Sequence, residues 1–343
     1  MMHKHGGDIY SNKNMIDFSA NINYFGMPES VKRAAQEAIA ASVHYPDVEC
    51  RELKQAISEK EGTETENIFC GNGAADVIFA LMLAKRPKRA LLPVPSFYEY
   101  EQALNSVGCE IETHLLEEEK GFRLDEDILE KITPETDVLF LCNPNNPTGE
   151  LVRQELLEQI LQKCEETGTL FILDECFNDF LEQPEEHTMI SRVKESRHLF
   201  LLRAFTKMYA MPGLRLGYGI CSDRELLAQM TQVSQPWRVS VPAQAAGIAA
   251  TREQEFVEKS RREIARQREA MIAQMRGMGY VIYGSRANYI FFSGEKMLCD
   301  RMKQKGFLIR DCSNYTGLGE SFYRVAVRSP EENRMFLQAL RER

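Results

Sequence analysis

A lysine and an arginine stand eight residues apart in the run Arg203-Ala-Phe-Thr-Lys207-Met-Tyr-Ala-Met-Pro-Gly-Leu-Arg215, the lysine after a short apolar stretch at 198–202 and the arginine at the start of another at 214–221. An amine at a strand end, partly desolvated and near another cation, loses its proton more readily and becomes a nucleophile toward an aldehyde. The arginine offers a planar fork of donors suited to a phosphate. An aldehyde that also carries a phosphate would suit both. Taken alone, a surface lysine and a loop arginine is the better reading; the rest of the chain reverses it.

Three further segments have chemistry to offer. Cys70-Gly71-Asn-Gly73-Ala74-Ala75-Asp76 joins a strand to a helix, so the amides of Ala74 and Ala75 are free to hold an anion, although a plain turn reads equally well. Asp174 ends a buried strand, where a carboxylate is costly unless paired. A protonated ring nitrogen would pair it, and a helix N-cap would also explain it. Asn143-Pro-Asn-Asn146-Pro-Thr-Gly149 is a turn-rich loop whose Asn146 amide could donate to a ligand oxygen.

The elements that must position these groups alternate from about residue 50 to 250. Strands are expected at 67–70, 89–93, 109–115, 137–142 and 169–174, with helices at 74–84, 96–107 and 153–167. Continuous apolar strands such as Val138-Leu-Phe-Leu-Cys142 and Leu170-Phe-Ile-Leu173 belong in a mostly parallel sheet covered on both faces. A charged helix at 253–278 then leads into short strands at 281–283, 287–292, 307–310 and 323–328, with helices at 296–305 and 330–341. Ser329-Pro-Glu-Glu332 supplies an N-cap, a first-position proline and two first-turn acids. The expected fold class is therefore α/β: a large α/β/α domain with a mostly parallel sheet at 31–250 and a smaller α+β domain at 251–343. Residues 1–30, with no sheet of their own, form an arm docking on the second domain.

The 343 residues exceed one typical core, and the net charge of −9 disfavours a nucleic-acid surface. No stretch approaches the ~20 apolar residues of a membrane span, and the start of the chain lacks the apolar core of a signal peptide. Nine scattered cysteines without a Cys-x-x-Cys pair suggest reduced thiols in a cytoplasmic enzyme. His3 and His5 gather no further ligands, so no metal is expected.

Asn-Pro-Thr-Gly, a strand-ending Asp, Thr-Lys and Arg-x-Gly, in that order, resemble the fold-type-I pyridoxal-phosphate enzymes of the aminotransferase family. The resemblance implies pyridoxal 5'-phosphate bound through Lys207, with Asp174 on the ring nitrogen and Asn146 on the ring hydroxyl. It implies Ala74, Ala75, Thr206 and Arg215 around the phosphate and Phe97 stacked on the ring. Tyr45 matches a tyrosine that reaches the partner subunit's cofactor, which implies a homodimer. Two positions depart from the pattern: Phe177 where many relatives have tyrosine, and Ala204 where they carry a hydroxyl.

Within that family, His5-Gly6-Gly7-Asp8, Asp17-Phe-Ser-Ala-Asn21 and Leu308-Ile-Arg310-Asp-Cys-Ser-Asn-Tyr315 resemble the threonine-phosphate decarboxylases of cobalamin biosynthesis. The implied substrate is a phosphorylated amino acid. His5, Gly6 and Arg310 would hold its phosphate, and Arg324 and Asn146 its carboxylate, with Asn21 close by. Strand alternation puts Arg328 on the same face as Arg324, so pattern alone leaves both as candidates. Histidinol-phosphate-type aminotransfer is the alternative activity, and a non-catalytic cofactor-bound regulator a distant third.

Overall fold

A computed structural model of the chain describes residues 5–342; His3 lies outside them. In chain order the elements are β1 (Ile16–Asp17), α1 (Glu29–Ala38), α2 (Arg51–Glu61), β2 (Ile68–Gly71), α3 (Ala74–Lys85), β3 (Arg89–Val94), α4 (Tyr98–Ser106) and β4 (Glu110–Leu115). There follow β5 (Val138–Cys142), α5 (Gln154–Thr167), β6 (Leu170–Asp174), β7 (Leu199–Ala204), β8 (Gly217–Ile220), α6 (Arg224–Val233), α7 (Val241–Ala250) and α8 (Gln254–Gly277). The last part holds β9 (Val281–Tyr283), β10 (Tyr289–Ser293), α9 (Leu298–Gln304), β11 (Phe307–Leu308), β12 (Arg310–Asp311), β13 (Phe322–Ala326) and α10 (Pro330–Arg341).

Seven strands form one sheet in the order β2-β8-β7-β6-β5-β3-β4, parallel except for β8, which runs against both its neighbours. Its central strands are apolar throughout because successive side chains serve two cores. Leu139, Leu141, Phe171, Leu173, Leu199 and Leu201 enter one; Val138, Phe140, Leu170, Ile172, Phe200 and Leu202 enter the other. Each such buried side chain contributes about 1.5–3 kcal/mol of transfer free energy. On the second face α3, α4 and α6 cover the sheet with Val77, Leu81, Tyr100, Leu104 and Met230. The first core is continuous with the smaller sheet, taking in Tyr289, Phe291, Val325 and Phe336.

The smaller sheet is antiparallel, in the order β12-β13-β10-β9. Two expectations need correction here. The strand expected at 307–310 is two short strands in different sheets: Phe307 and Leu308 pair with β1 in parallel, then the chain turns at Ile309 and Arg310 pairs with β13. The N-terminal segment causes the split, since its backbone takes the hydrogen bonds of 307–308, with Phe18 N–H donating to Leu308 O at 2.8 Å. That segment accordingly has a strand of its own, Ile16–Asp17. The cap expected at Ser329 is present as a full capping box with Glu332.

Among the described residues no helix is long and apolar enough to cross a membrane, and no three His, Cys, Asp or Glu side chains cluster as metal ligands.

Candidate active site

The carboxyl ends of β2, β3, β5, β6 and β7 converge on one edge of the large sheet, where open α/β sheets hold their ligands. A cavity of about 240 Å³ lies there, closed on its other side by the N-terminal segment and by β12 and β13. A wider hollow of about 920 Å³, around Tyr280, Lys296, Asp300 and Arg301, contains none of the sequence-derived candidates.

Lys207 follows β7 and lines the cavity. Burial, then the neighbouring Arg324, lowers its ammonium to about 8, so a far larger fraction is neutral near pH 7 than for a solvated lysine. Its loop is tied down from afar: Asn23 N–H donates to Lys207 O at 3.1 Å, and Asn23 Nδ2 donates to Met208 O at 2.9 Å. Phe177 packs edge-on against Tyr289, its ring centre 6.0 Å from the Lys207 amine.

Asp174, the last residue of β6, is 4% exposed and accepts hydrogen bonds from Tyr100 Oη at 2.6 Å and from Cys176 N–H at 2.9 Å. Burial raises its carboxyl above the usual range while these donors oppose the rise. The next residue, Glu175, anchors the strand end through a buried ion pair with Arg203 at 2.6 Å. Asp174 is thus held in place from both sides.

At the other end of the cavity α3 begins at Gly73, which has φ of +87° and caps the helix with no side chain. A Cβ there would meet the Arg215 guanidinium at 2.4 Å, and one on Gly217 would meet Ala74 N at 2.4 Å. Glycine at both positions brings the helix N-terminus, Arg215 and the start of β8 together. Ala74, Ala75, Thr206 and Arg215 all line the cavity, as do Phe97 and Ala204. This is an anion cradle.

Arg310 and Arg324 face each other directly across the β12–β13 pair, and both are buried, at 5% and 6% exposure. Directly opposed like charges destabilise a sheet unless something answers them. Arg324 bonds Asn146 Oδ1 and donates to Ser19 O at 3.1 Å, while its Nε is buried without a partner among the described residues. With Asn146 Oδ1 the acceptor, its amide nitrogen is the group left to donate. Arg310 donates to Asn314 Oδ1 at 3.0 Å and lies over the Tyr315 ring. His5, Gly6 and Asn21 line the same end. Gly6 passes so close that a Cβ would sit 2.2 Å from Ser19 O, and Asn21 Oδ1 is buried without a partner among the described residues.

Arg328 does not join them. β13 ends at Ala326, so alternation does not extend to it, and its guanidinium donates to Asp17 O at 3.0 Å and to Glu332 at 2.8 Å. Tyr45 lies outside the cavity, 77% exposed and stacked on the half-exposed Trp237 with ring centres 4.3 Å apart. Three lining or supporting residues escaped the sequence reading: Tyr100, Glu99 and Tyr315. The aromatic spacing of Phe97 and Tyr100, one helical turn apart, was the available signal for the first.

Residues 13–340 match the family described as aminotransferase class I and II. The chain is 40% identical over 352 residues to a threonine-phosphate decarboxylase of Salmonella typhimurium, covering 98% of this chain and 95% of that one. It is 30% identical to an adenosylcobalamin biosynthesis bifunctional protein of Leptospira interrogans, covering 98% of this chain and 40% of that longer one. A histidinol-phosphate aminotransferase structure from Clostridium acetobutylicum superposes with a TM-score of 0.89 at 30% identity, over 95% of this chain and 98% of that one. The chain belongs to the aminotransferase class I and II family, with the fold-type-I α/β architecture. It is a pyridoxal-phosphate-dependent enzyme.

The cavity suits that cofactor on its own chemistry. The cradle at Gly73 and Gly217 fits a phosphate, the buried Asp174 carboxylate feels the Lys207 charge but makes no direct ion pair among the described residues and would find one in a protonated ring nitrogen, and Lys207 is a desolvated amine lining the same cavity.

Proposed function

We propose that this enzyme decarboxylates L-threonine O-3-phosphate to (R)-1-aminopropan-2-yl phosphate in cobalamin biosynthesis. The observation that carries the reading is the buried Arg310–Arg324 pair in the cavity that holds Lys207. Two adjacent guanidiniums call for a substrate with two anionic ends, and a phosphorylated amino acid has them. The identity of 40% to a threonine-phosphate decarboxylase supports the same substrate.

When bound, pyridoxal phosphate supplies an electron sink beside Cα of the substrate. The chain's residues decide the rest. Arg324, with Asn146, takes the carboxylate, while Arg310, His5 and the Gly6 amide take the phosphate, with Asn21 alongside. Fixing both ends leaves little torsional freedom at Cα, and decarboxylation follows when that tether orients the bond to the carboxylate, not the bond to hydrogen, for cleavage. Lys207, with an amine that changes protonation near neutral pH, delivers the proton that replaces the lost carboxylate. Asp174 would keep the ring nitrogen protonated; Ala74, Ala75, Thr206 and Arg215 would hold the cofactor phosphate and Phe97 the ring.

The test is direct. Holoenzyme given threonine phosphate and no keto acid should release CO2, and unphosphorylated threonine should react far more slowly. Turnover that appears only when 2-oxoglutarate is added would instead identify an aminotransferase.

The working form is a homodimer in the cytoplasm, with Tyr45 contributing to the partner's site. An exposed aromatic pair at Tyr45 and Trp237 supports an interface, and nine unpaired cysteines suit a reducing compartment. The division is an arm at 1–30, a large domain at 31–250 and a small one at 251–343; the arm's pairing with β11 supports its docking on the small domain. Hydrogen exchange tests both points. Residues 44–47 should slow as protein concentration rises, and 16–18 should open together with 307–308. Concentration-independent exchange at 44–47 contradicts the dimer, and independent opening of 16–18 contradicts the docking.

A further inference from the structure

Besides Asp174, Glu99 is the one acidic side chain lining the cavity, and no part of the mechanism proposed above uses it. It is the second residue of α4, where an acid commonly serves the helix dipole. This one is turned inward instead. Its Oε1 lies 3.5 Å from His5 Nδ1, and its Oε2 is buried without a hydrogen-bond partner among the described residues. The charged groups facing it are Lys207 beyond β7, Arg310 on β12, Asp174 at the end of β6 and His5 on the arm. It therefore sits at the end of the cavity where the substrate phosphate would lie, between the residues assigned to that phosphate.

An ionised carboxylate there would repel a phosphate dianion at close range. A protonated one would donate a hydrogen bond to it. We propose that Glu99 is a specificity residue of the substrate-phosphate end, which binds a phosphate monoester in its protonated form and opposes it when ionised. The proposal rests on the function proposed above. Burial raises the Glu99 carboxyl to about 7, against the pull of its own backbone, Lys207 and Arg310, so the switch falls near neutral pH. Binding of a phosphate dianion above that pH must then take up a proton. The sign is fixed: affinity is full below about 7 and declines as pH rises through it. At pH 8, one unit above, the expected penalty is about tenfold.

Titration calorimetry of the holoenzyme with inorganic phosphate at pH 8, in two buffers of different ionisation enthalpy, counts that proton. Wild type should take up nearly one more proton per site than Glu99→Gln. The amide variant, a permanent neutral donor, should bind phosphate about tenfold more tightly at pH 8 and match wild type near pH 6. His5→Asn separates the neighbouring titratable group, and it should keep the Glu99-linked uptake. Equal uptake in wild type and Glu99→Gln, or uptake lost only in His5→Asn, overturns the role of Glu99 while leaving the decarboxylase reading standing. Between pH 6 and 8 the KM for threonine phosphate should rise about tenfold more in wild type than in Glu99→Gln, the titrations common to both cancelling; a shared pH profile also overturns the role. If wild type neither binds phosphate nor turns over threonine phosphate, both proposals fall together.

Discussion

Lys207→Ala should abolish the near-visible absorbance of the lysine-bound cofactor and lower CO2 release from threonine phosphate by about 10⁴-fold or more. The magnitude follows from two losses at once, since a positioned proton carrier alone contributes about 10²–10⁴-fold and the same amine is also the nucleophile. The site gives this lysine the properties that the proposed role needs. It is buried, the Arg324 charge lowers its ammonium further, and its loop is held by Asn23 from the N-terminal segment. The fold should survive, because the side chain fills a cavity wall and belongs to neither core. An unchanged spectrum would refute the assignment of Lys207.

Arg310→Ala carries the second large effect. Removing one partner of a buried charge pair costs about 2–5 kcal/mol, so the KM for threonine phosphate should rise from about 30-fold to several-thousand-fold. Unphosphorylated threonine, which has nothing for Arg310 to hold, should lose little. Arg324→Gln should weaken both, because both carry the carboxylate. The contrast matters because Arg310 and Arg324 are paired across one rung of the sheet. If Arg310→Ala leaves the preference for the phosphate ester intact, the phosphate is held elsewhere.

Much of the architecture was legible in the residues. The apolar strands β5, β6 and β7 announce a sheet covered on both faces, and their ends carry Asp174 and Lys207. Position at a strand's carboxyl end is a local property, so a motif reports it well. Ser329-Pro-Glu-Glu332 likewise predicts its helix start because capping is decided within one turn. What escaped depends on partners distant in the chain. The break at Ile309 arises because residues 16–18 take the hydrogen bonds of 307–308, a contact nearly three hundred residues apart in sequence. Arg324 and Arg328 share a face in an ideal strand, and only the end of β13 at Ala326 separates them. Glu99 looks like a surface acid in a helix first turn; its neighbours there are His5 on the arm and the charge of Arg310, neither of which the adjacent sequence reveals.

The central claim is that the bond to the carboxylate breaks and the bond to hydrogen at Cα does not. L-threonine O-3-phosphate deuterated at Cα puts this to a single measurement. After turnover in ordinary water without a keto acid, the aminopropyl phosphate product should retain the deuterium at the carbon that bore the carboxylate, together with one hydrogen from solvent. Loss of deuterium to solvent, with the carboxylate still attached, would show that the enzyme cleaves the other bond and would contradict the account.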